Sequence, residues 1–245
     1  MKSLPYLLLA SLLLLFVAPP ASAHVVSLWA GENNADDSVG DNDGTINGSV
    51  GFRAGTSGQG FDFTAGSVTV SGAIAGGLAP ASGFSIVLFA GQDTFVGGEE
   101  MVSLLSNGND SGFILSAHPS TSGTLRFRVY TSSGANTIDA TGFTVGEAGH
   151  WIVVTFDAAS HALRLYHGNE LMASGTAGGT NMDIDGDESF AIGDGWNGLI
   201  DEVSFYDEAL SQGEIDAIFG AGDGELIFDD DFESGNMSSW SDSVP

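Results

Sequence analysis

Cysteine is absent from this chain of 245 residues. Its absence excludes disulfide bonds, the usual covalent support of exported proteins. It also excludes a lipid anchor, because that modification needs a cysteine at the cleavage point of the export signal. The folded chain must therefore be stabilised by core burial, by hydrogen bonds or by a bound metal ion.

Basic residues are nearly as scarce. The chain has five Lys and Arg residues against 32 Asp and Glu residues. The single lysine, Lys2, lies in an N-terminal segment that resembles a signal peptide, so four arginines face 32 carboxylates and the mature charge is −28. Nucleic acids and anionic membranes are disfavoured as partners, because affinity for phosphate comes from Lys and Arg. Solubility, a salt-rich habitat and divalent cation binding stay open as reasons for the charge.

The first 23 residues have the pattern of a cleavable signal peptide. Lys2 precedes an apolar stretch over residues 4–17, and Ala21-Ser22-Ala23 is a small-residue cleavage site. The apolar stretch is too short to span a bilayer. We expect export without membrane insertion, a mature chain that begins near His24, and a location in the periplasm, on the outer surface or outside the cell. A membrane anchor is the alternative.

Glycine is abundant, with 36 residues, and proline is rare, with six. The glycines separate short apolar runs, which is typical of many strands joined by tight turns. In residues 125–129 the apolar side chains alternate with Arg126 and Arg128, so the two arginines share one face. The pattern predicts an antiparallel sandwich of two sheets over residues 24–221. The predicted strands are 25–29, 67–71, 84–90, 101–106, 112–117, 125–131, 151–156, 162–167, 170–175, 190–193 and 199–206.

One short helix is predicted, close to the C-terminal end of this domain. Ser211 and Glu214 are spaced as a capping box, in which each side chain satisfies a free backbone amide of the other residue. Leu210 and Ile215 are placed for the hydrophobic staple around that cap. Gly220 is the predicted stop signal. Residues 222–245 are acidic and polar, and we expect them to form a flexible tail.

Four segments together carry a resemblance to a known family. In order they are an opening with Trp29, Glu32 and an Asp/Gly-rich turn (29–45), a Gly-x-x-Phe strand (59–70), a Trp-initiated strand pair (150–166) and the closing strand and helix (191–219). This ordered set resembles laminin-G-like domains, which are concanavalin A-like jelly rolls. The resemblance implies an all-β jelly-roll sandwich with one short C-terminal helix. The chain departs from the family pattern at Gly31, where an acid is common, and at Asp41, where Asn is usual.

The resemblance also implies a structural calcium ion that joins the N-terminal turn to the last strand. Calcium prefers six to eight oxygen ligands from carboxylates and carbonyl groups. The candidate ligands are Glu32, Asp37, Asp41 and Asp201. The alternative is that Asp201 accepts backbone hydrogen bonds while the acids of the turn are merely solvated.

A carbohydrate site is the main functional hypothesis. Sugar recognition combines an aromatic platform with polar side chains that bind hydroxyl groups. Trp196, beside Asp194 and Asn197 in a Gly-rich loop, fits that description. The alternative is that Trp196 packs across the edge of the sandwich.

Catalytic motifs are missing from the sequence. The acids of residues 214–219 lack the third carboxylate of the glycosidase strand found on this type of sandwich, and neither a Gly-x-Ser-x-Gly elbow nor a His-Glu-x-x-His motif occurs. We therefore predict a secreted, non-catalytic module that binds glycans or surface ligands. A structural or adhesive protein that binds other proteins is the first alternative, and a glycoside hydrolase is the second.

Overall fold

The computed structural model describes residues 23–146, 149–179 and 181–220. The predicted signal peptide, apart from Ala23, and the predicted tail lie outside these residues. No helix in the described ranges is long and apolar enough to cross a bilayer. Within these described ranges, thirteen strands and one helix form the domain. They are β1 (Val25–Trp29), β2 (Gly44–Ala54), β3 (Gln59–Val70), β4 (Gly83–Gln92), β5 (Glu100–Leu105), β6 (Gly112–Ala117), β7 (Thr124–Thr131), β8 (Gly134–Thr141), β9 (His150–Asp157), β10 (Ala162–His167), β11 (Glu170–Thr176), β12 (Ser189–Ile192), β13 (Gly198–Tyr206) and α1 (Gln212–Phe219).

The strands form an antiparallel sandwich with two layers, as the sequence predicts. Hydrogen-bonded neighbours follow the order β11-β10-β9-β4-β13-β3-β12-β5-β6-β7-β8, with β1 added to β13 and β2 added to β3. Strand β3 passes from one layer to the other, because Phe61–Phe63 pair with β13 while Val68–Val70 pair with β12. We call β11-β10-β9-β4-β13 and β1 layer A, and the second half of β3 with β12-β5-β6-β7-β8 layer B.

Most strands were predicted within a few residues, but two were missed. Strand β2 is an exposed edge strand that pairs only with β3, and its sequence contains few apolar residues. Strand β8 is largely exposed on one face and forms a hairpin with β7. Strands β10 and β11, both predicted, form a hairpin in which His167 pairs with Glu170 and Gly168 has a positive φ of 57°. Strands with little apolar content gave no periodic signal to detect.

An aromatic cluster joins the two layers. Phe84 of layer A stacks on Phe205 of the same layer at 5.6 Å and meets Phe113 of layer B at 4.5 Å, measured between ring centroids. Phe127 of layer B approaches Phe84 edge-on at 6.1 Å. Such pairs contribute roughly 0.5–1.5 kcal/mol each beyond the burial of their area. This cluster stabilises a domain that has no disulfide.

The outer face of layer A is covered by helix α1. The capping box is confirmed, since the Ser211 hydroxyl accepts from the Glu214 amide and the Glu214 carboxylate accepts from the Ser211 amide. Leu210, Ile215 and Phe219 pack on an apolar patch of layer A that includes Trp151. Trp151 is thus buried under the helix rather than between the sheets. No helix in the described ranges covers the outer face of layer B.

Candidate functional site

A β-bulge brings two acids together in the last strand. The pairing of β13 with β4 shifts register between Asp201 and Ser204, and Glu202 within the bulge has a φ of +51°. A bulge re-aims the side chains of its strand. Trp29 of β1 pairs with Val203 of β13, so Glu32, which follows β1, reaches the same place. The predicted meeting of the first and last strands is confirmed.

Asp201 is a fully buried carboxylate at this bulge. It accepts hydrogen bonds from the backbone amides of Thr56 at 2.7 Å and Glu202 at 3.0 Å. Burial raises its pKa to about 6, even though these bonds lower it, and Glu32 adds repulsion. Burial, together with the charges of Asp201 and Glu32, raises the pKa of Glu202 to about 7. The three acids, which we call the acid bulge, therefore repel one another in a poorly hydrated place.

A glycine-rich turn over residues 55–60 wraps the acid bulge. The Glu32 carboxylate accepts from the Gln59 amide at 2.9 Å. Gly58 has a φ of +57°, and a Cβ atom there would lie 1.8 Å from Glu32 Oε1. A Cβ atom on Gly60 would lie 2.8 Å from the Cβ of Asp201. Only glycine allows the turn to approach both acids this closely.

The other two predicted calcium ligands do not join the acid bulge. The Asp37 carboxylate accepts from four backbone amides, those of Leu28, Val39, Gly40 and Asn42, at 2.9–3.1 Å. Burial opposes the ionised form of Asp37, but these bonds and the Ser27 hydroxyl hold its pKa below the usual value. Asp41 is exposed. Asp37 therefore organises its own turn.

The structure thus divides the predicted ligand set. It brings Glu32 to Asp201, adds Glu202, and leaves Asp37 and Asp41 in a separate turn. Within the described ranges, no three Asp, Glu or His side chains converge in an arrangement that could hold a metal ion. The acid bulge offers carboxylate oxygens that suit calcium, but as a partial set, and the calcium ion stays a prediction.

The predicted sugar platform is not available in the form expected. Trp196 is only 3% exposed, belongs to the main core, and donates from Nε1 to the Leu199 carbonyl at 3.3 Å. The ring is therefore not an exposed platform, and its burial agrees with the alternative stated above, in which Trp196 packs across the edge of the sandwich. Asp194 is exposed, and Asn197 accepts from the Thr94 hydroxyl at 2.9 Å.

Trp196 instead lines a narrow cleft at the end of the sandwich. Phe143, His150 and Gln92 line the same cleft. The Gln92 side chain is buried, and its Nε2 atom has no hydrogen-bond partner among the described residues. A buried donor without a partner is costly unless water or another group satisfies it. The cleft therefore offers one donor beside an aromatic wall.

Seven side chains, none of which is an Asp or Glu, form a row across the outer face of layer B. Strand registers place one residue from each of seven strands side by side, and most of the seven alternate with core residues along their strands. We call this set the Arg128 row: Thr45, Thr69, Ala191, Ser103, Ile114, Arg128 and Thr137. Neighbouring strands lie about 4.8 Å apart, so the row spans roughly 29 Å. It carries four hydroxyls and one guanidinium.

Neutral groups hold the Arg128 guanidinium. Its Nε atom donates to the Thr137 hydroxyl at 3.1 Å and Nη1 donates to the Tyr130 hydroxyl at 3.2 Å. Its Cζ atom lies 5.9 Å from the Tyr130 ring centroid, within the range of a cation–π contact. Among the described residues, no carboxylate lies within 4.0 Å of Arg128. These contacts fix the group without neutralising it.

The adjacent row, two residues further along the strands, carries one arginine and two acids. Arg126 binds Asp139 through two hydrogen bonds, at 2.8 and 2.9 Å, and this pairing lowers the pKa of Asp139. Glu100 faces Ser116, which in turn faces Arg126. Burial and, to a smaller extent, Asp194 raise the pKa of Glu100 against the lowering effect of the Ser103 hydroxyl. Arg128 is the arginine of this face that makes no ion pair with the described residues, although Asp139 attracts it from the adjacent row.

Comparison with known proteins agrees with the β-sandwich fold described above. A laminin-G-type family model, described as the concanavalin A-like lectin/glucanases superfamily, matches residues 64–216, more than half of the chain. The chain belongs to the concanavalin A-like lectin/glucanases superfamily. The resemblance expected from the sequence is thereby confirmed. No curated protein matches this superfamily member significantly.

Solved structures share the fold. Domain 4 of AbnA, a GH43 extracellular arabinanase from Geobacillus stearothermophilus in complex with arabinotriose, is 20% identical with a TM-score of 0.62, covering 80% of this chain and 98% of that one. The binding domain of Paraclostridial Mosquitocidal Protein 1 is 17% identical with a TM-score of 0.62. The binding domain of Botulinum Neurotoxin serotype G is 12% identical with a TM-score of 0.60. For each of these two toxin domains the match covers 78% of this chain and half of theirs.

Sequence reasoning missed the Arg128 row, although one signal for it was present. The alternation in residues 125–129 already placed Arg126 and Arg128 on a common face of one strand. Two of the four arginines of a very acidic chain therefore lie two residues apart. The remaining members of the row come from other strands, and only the registers show that they are neighbours.

Proposed function

We propose that this protein is a non-catalytic glycan-binding module whose ligand lies along the Arg128 row. One observation carries the proposal: the row crosses seven strands without a carboxylate, in a chain that has 32 of them. Acids are plentiful in the chain and two of them, Glu100 and Asp139, lie in the adjacent row of the same face, so their absence from this row calls for a reason. Binding of a polar ligand supplies it.

The chemistry of the row suits a sugar chain. Hydroxyl side chains both donate and accept hydrogen bonds, as sugar hydroxyls do. Ile114, half-buried beside Arg128, gives an apolar patch against which C–H groups can pack. The length of the row, roughly 29 Å, allows contact with more than one sugar residue. Helix α1 denies the corresponding face of layer A to such a ligand.

A fold-level precedent supports the proposal. Domain 4 of the arabinanase AbnA was solved with arabinotriose, and almost the whole of that domain matches this chain. At 20% identity this likeness concerns the fold, so the ligand class here depends on the residues of the row.

Glu100 is the one feature that favours hydrolysis, the second candidate function. Its pKa is raised and Asp194 is close enough to contribute to that rise, which is how an acid catalyst is prepared. The proposal of a binding module expects no release of reducing ends from any polysaccharide. Turnover that is lost in Glu100→Gln would instead establish a glycosidase.

Affinity electrophoresis through gels that contain single polysaccharides tests the binding role. We expect retardation by at least one polysaccharide, with Arg128→Gln migrating as it does in a gel without sugar. Arg164→Gln is the matched control, because Arg164 lies on the outer face of layer A and its removal changes the net charge equally. Equal retardation of both variants would contradict the site.

Export and calcium belong to the same proposal. A signal peptide over residues 1–23 would place the module outside the inner membrane, where polysaccharides are found. A calcium ion at the acid bulge would join the two ends of the domain. The raised pKa values of Asp201 and Glu202 support a cation there, because a positive charge would relieve the repulsion between these acids.

A further inference from the structure

The Arg128 guanidinium is held in place but keeps donors to spare. Thr137 and Tyr130 engage Nε and one hydrogen of Nη1, while Nη2 makes no hydrogen bond within the described ranges. Three of the four hydrogens on Nη1 and Nη2 are therefore free to donate, and both hydrogens of Nη2 are among them. A planar fork of this kind matches the two oxygens of a carboxylate.

The other arginines differ from Arg128 in this respect. Arg126 gives two hydrogen bonds to Asp139, and Arg53 gives two to Asp93. Arg164 makes no ion pair with the described residues, but no hydrogen bond positions it either, and its attraction to Asp157 is long-range. Arg128 is also attracted by an acid, Asp139 of the adjacent row, but among the four arginines it alone is held in place by hydrogen bonds without an ion-pair partner in the described residues.

We propose that the ligand of the Arg128 row is an acidic glycan whose carboxylate binds the outer edge of Arg128. The hydroxyls of Thr137 and Tyr130 lie within reach of the same sugar, and Thr69 and Thr45 continue the row toward the neighbouring sugars. Ser103, between them and Arg128, is buried and bound to Glu100. This inference rests on the proposed function, since it names the class of sugar bound at that site.

The net charge of the protein limits which acidic glycans can bind. A net charge of −27 repels a dense polyanion, and at physiological salt this repulsion reaches about 8 Å. Asp139 lies one row away, two residues or about 7 Å from Thr137 along its strand, and the Glu100 carboxylate reaches the Ser103 hydroxyl of the row itself. The ligand is therefore a largely neutral oligosaccharide with an isolated carboxylate, such as a single uronic or nonulosonic acid residue.

The test is a glycan array of matched pairs. Each acidic oligosaccharide, carrying one glucuronic, galacturonic or nonulosonic acid residue, is printed beside the same oligosaccharide with its carboxyl reduced to an alcohol. We expect at least about a tenfold preference for the acidic member of a bound pair, since a charge-assisted, two-pronged hydrogen bond is lost with the carboxylate. A dense polyanion, alginate, is expected to bind less well than the sparse acidic chains.

Variants separate the hypothesis of an acidic ligand from the hypothesis of glycan binding in general. Arg128→Gln should lose the preference for acid, Arg128→Lys should retain part of it because the charge remains without the fork, and Arg164→Gln should behave as the wild type. Tyr130→Phe, which removes one supporting hydroxyl, covers the case in which Arg128→Gln misfolds. Equal binding of both members of each pair would overturn the acidic ligand while leaving glycan binding intact. Binding of neither member would overturn the proposed function itself.

Discussion

The backbone amide of Thr56 donates a hydrogen bond to the carboxylate of Asp201 at 2.7 Å across 145 residues of sequence. This bond ties the turn after β2 to the bulge of the last strand, and it places a buried carboxylate beside Glu32 and Glu202. In the absence of a cation the acid bulge is therefore a site of stored repulsion, and stability should depend on its protonation.

Stability should fall as the pH rises from about 5 to 8 in the presence of chelator. The pKa values of Asp201 and Glu202 in the folded state, about 6 and about 7, lie above their ordinary values of 3.8 and 4.5. The folded state therefore binds protons more tightly than the unfolded state does. Protonation of these two acids adds its full contribution to the free energy of unfolding below about pH 4, and this contribution is lost as the pH rises through 6 and 7. Urea unfolding at several pH values measures it.

Removing the two charges gives the control. The double variant Asp201→Asn, Glu202→Gln should show a flatter dependence between pH 5 and 8. Its acid limb below pH 4 should persist, because Asp37 and Asp139 have lowered pKa values and lose their stabilisation only as the pH falls through them. A decline between pH 5 and 8 as steep as in the wild type would show that the acid bulge is not its source.

Calcium should raise the melting temperature if the acid bulge binds it. An ion at one hundred times its dissociation constant stabilises a fold by roughly 2.7 kcal/mol, which is several degrees for a domain of this size. The increase should disappear in Asp201→Asn and persist in Asp41→Asn, since Asp41 is exposed and belongs to the separate turn. Identical melting curves in chelator and in excess calcium would remove the ion from the account.

Trp196→Ala should damage the fold rather than a sugar platform. The ring is buried in the core, so its truncation is expected to cost about 3–5 kcal/mol of unfolding free energy. Trp196→Phe should fold and bind glycans with unchanged affinity. If Trp196→Phe binds at least tenfold more weakly at unchanged stability, the cleft rather than the Arg128 row is the binding site.

Ser211→Ala should weaken the attachment of helix α1. The Ser211 hydroxyl satisfies the Glu214 amide at the helix start, and its loss is expected to cost about 1 kcal/mol. Gln212→Ala, one residue further on, is the comparison variant because it leaves the cap intact. If Ser211→Ala proves as stable as the wild type, the buried Ile215 and Phe219 anchor the helix without the cap.

Much of the fold could be predicted because several signals are local. The capping box of Ser211 and Glu214 and the alternation around Arg126 depend on neighbours in sequence, and both were confirmed. Strand β2 was not predicted, because an exposed edge strand needs no apolar face. Its pairing partner, and not its own composition, makes it a strand.

The site was harder to predict because it depends on register. Whether Trp196 points outward is decided by the backbone of one loop, and the sequence around it suits either orientation. The separation of Asp37 from Asp201 likewise reflects four backbone amides that capture the Asp37 carboxylate. The Arg128 row exists only through six strand pairings, which no single segment encodes.

Amide chemical shifts recorded while the protein is titrated with an array-positive oligosaccharide test the central claim most directly. The account predicts perturbations centred on Ser103, Ile114, Arg128 and Thr137, with layer A unaffected. Perturbations confined to the loop around Asp194 and Asn197, or to the acid bulge, with the row unchanged, would contradict it.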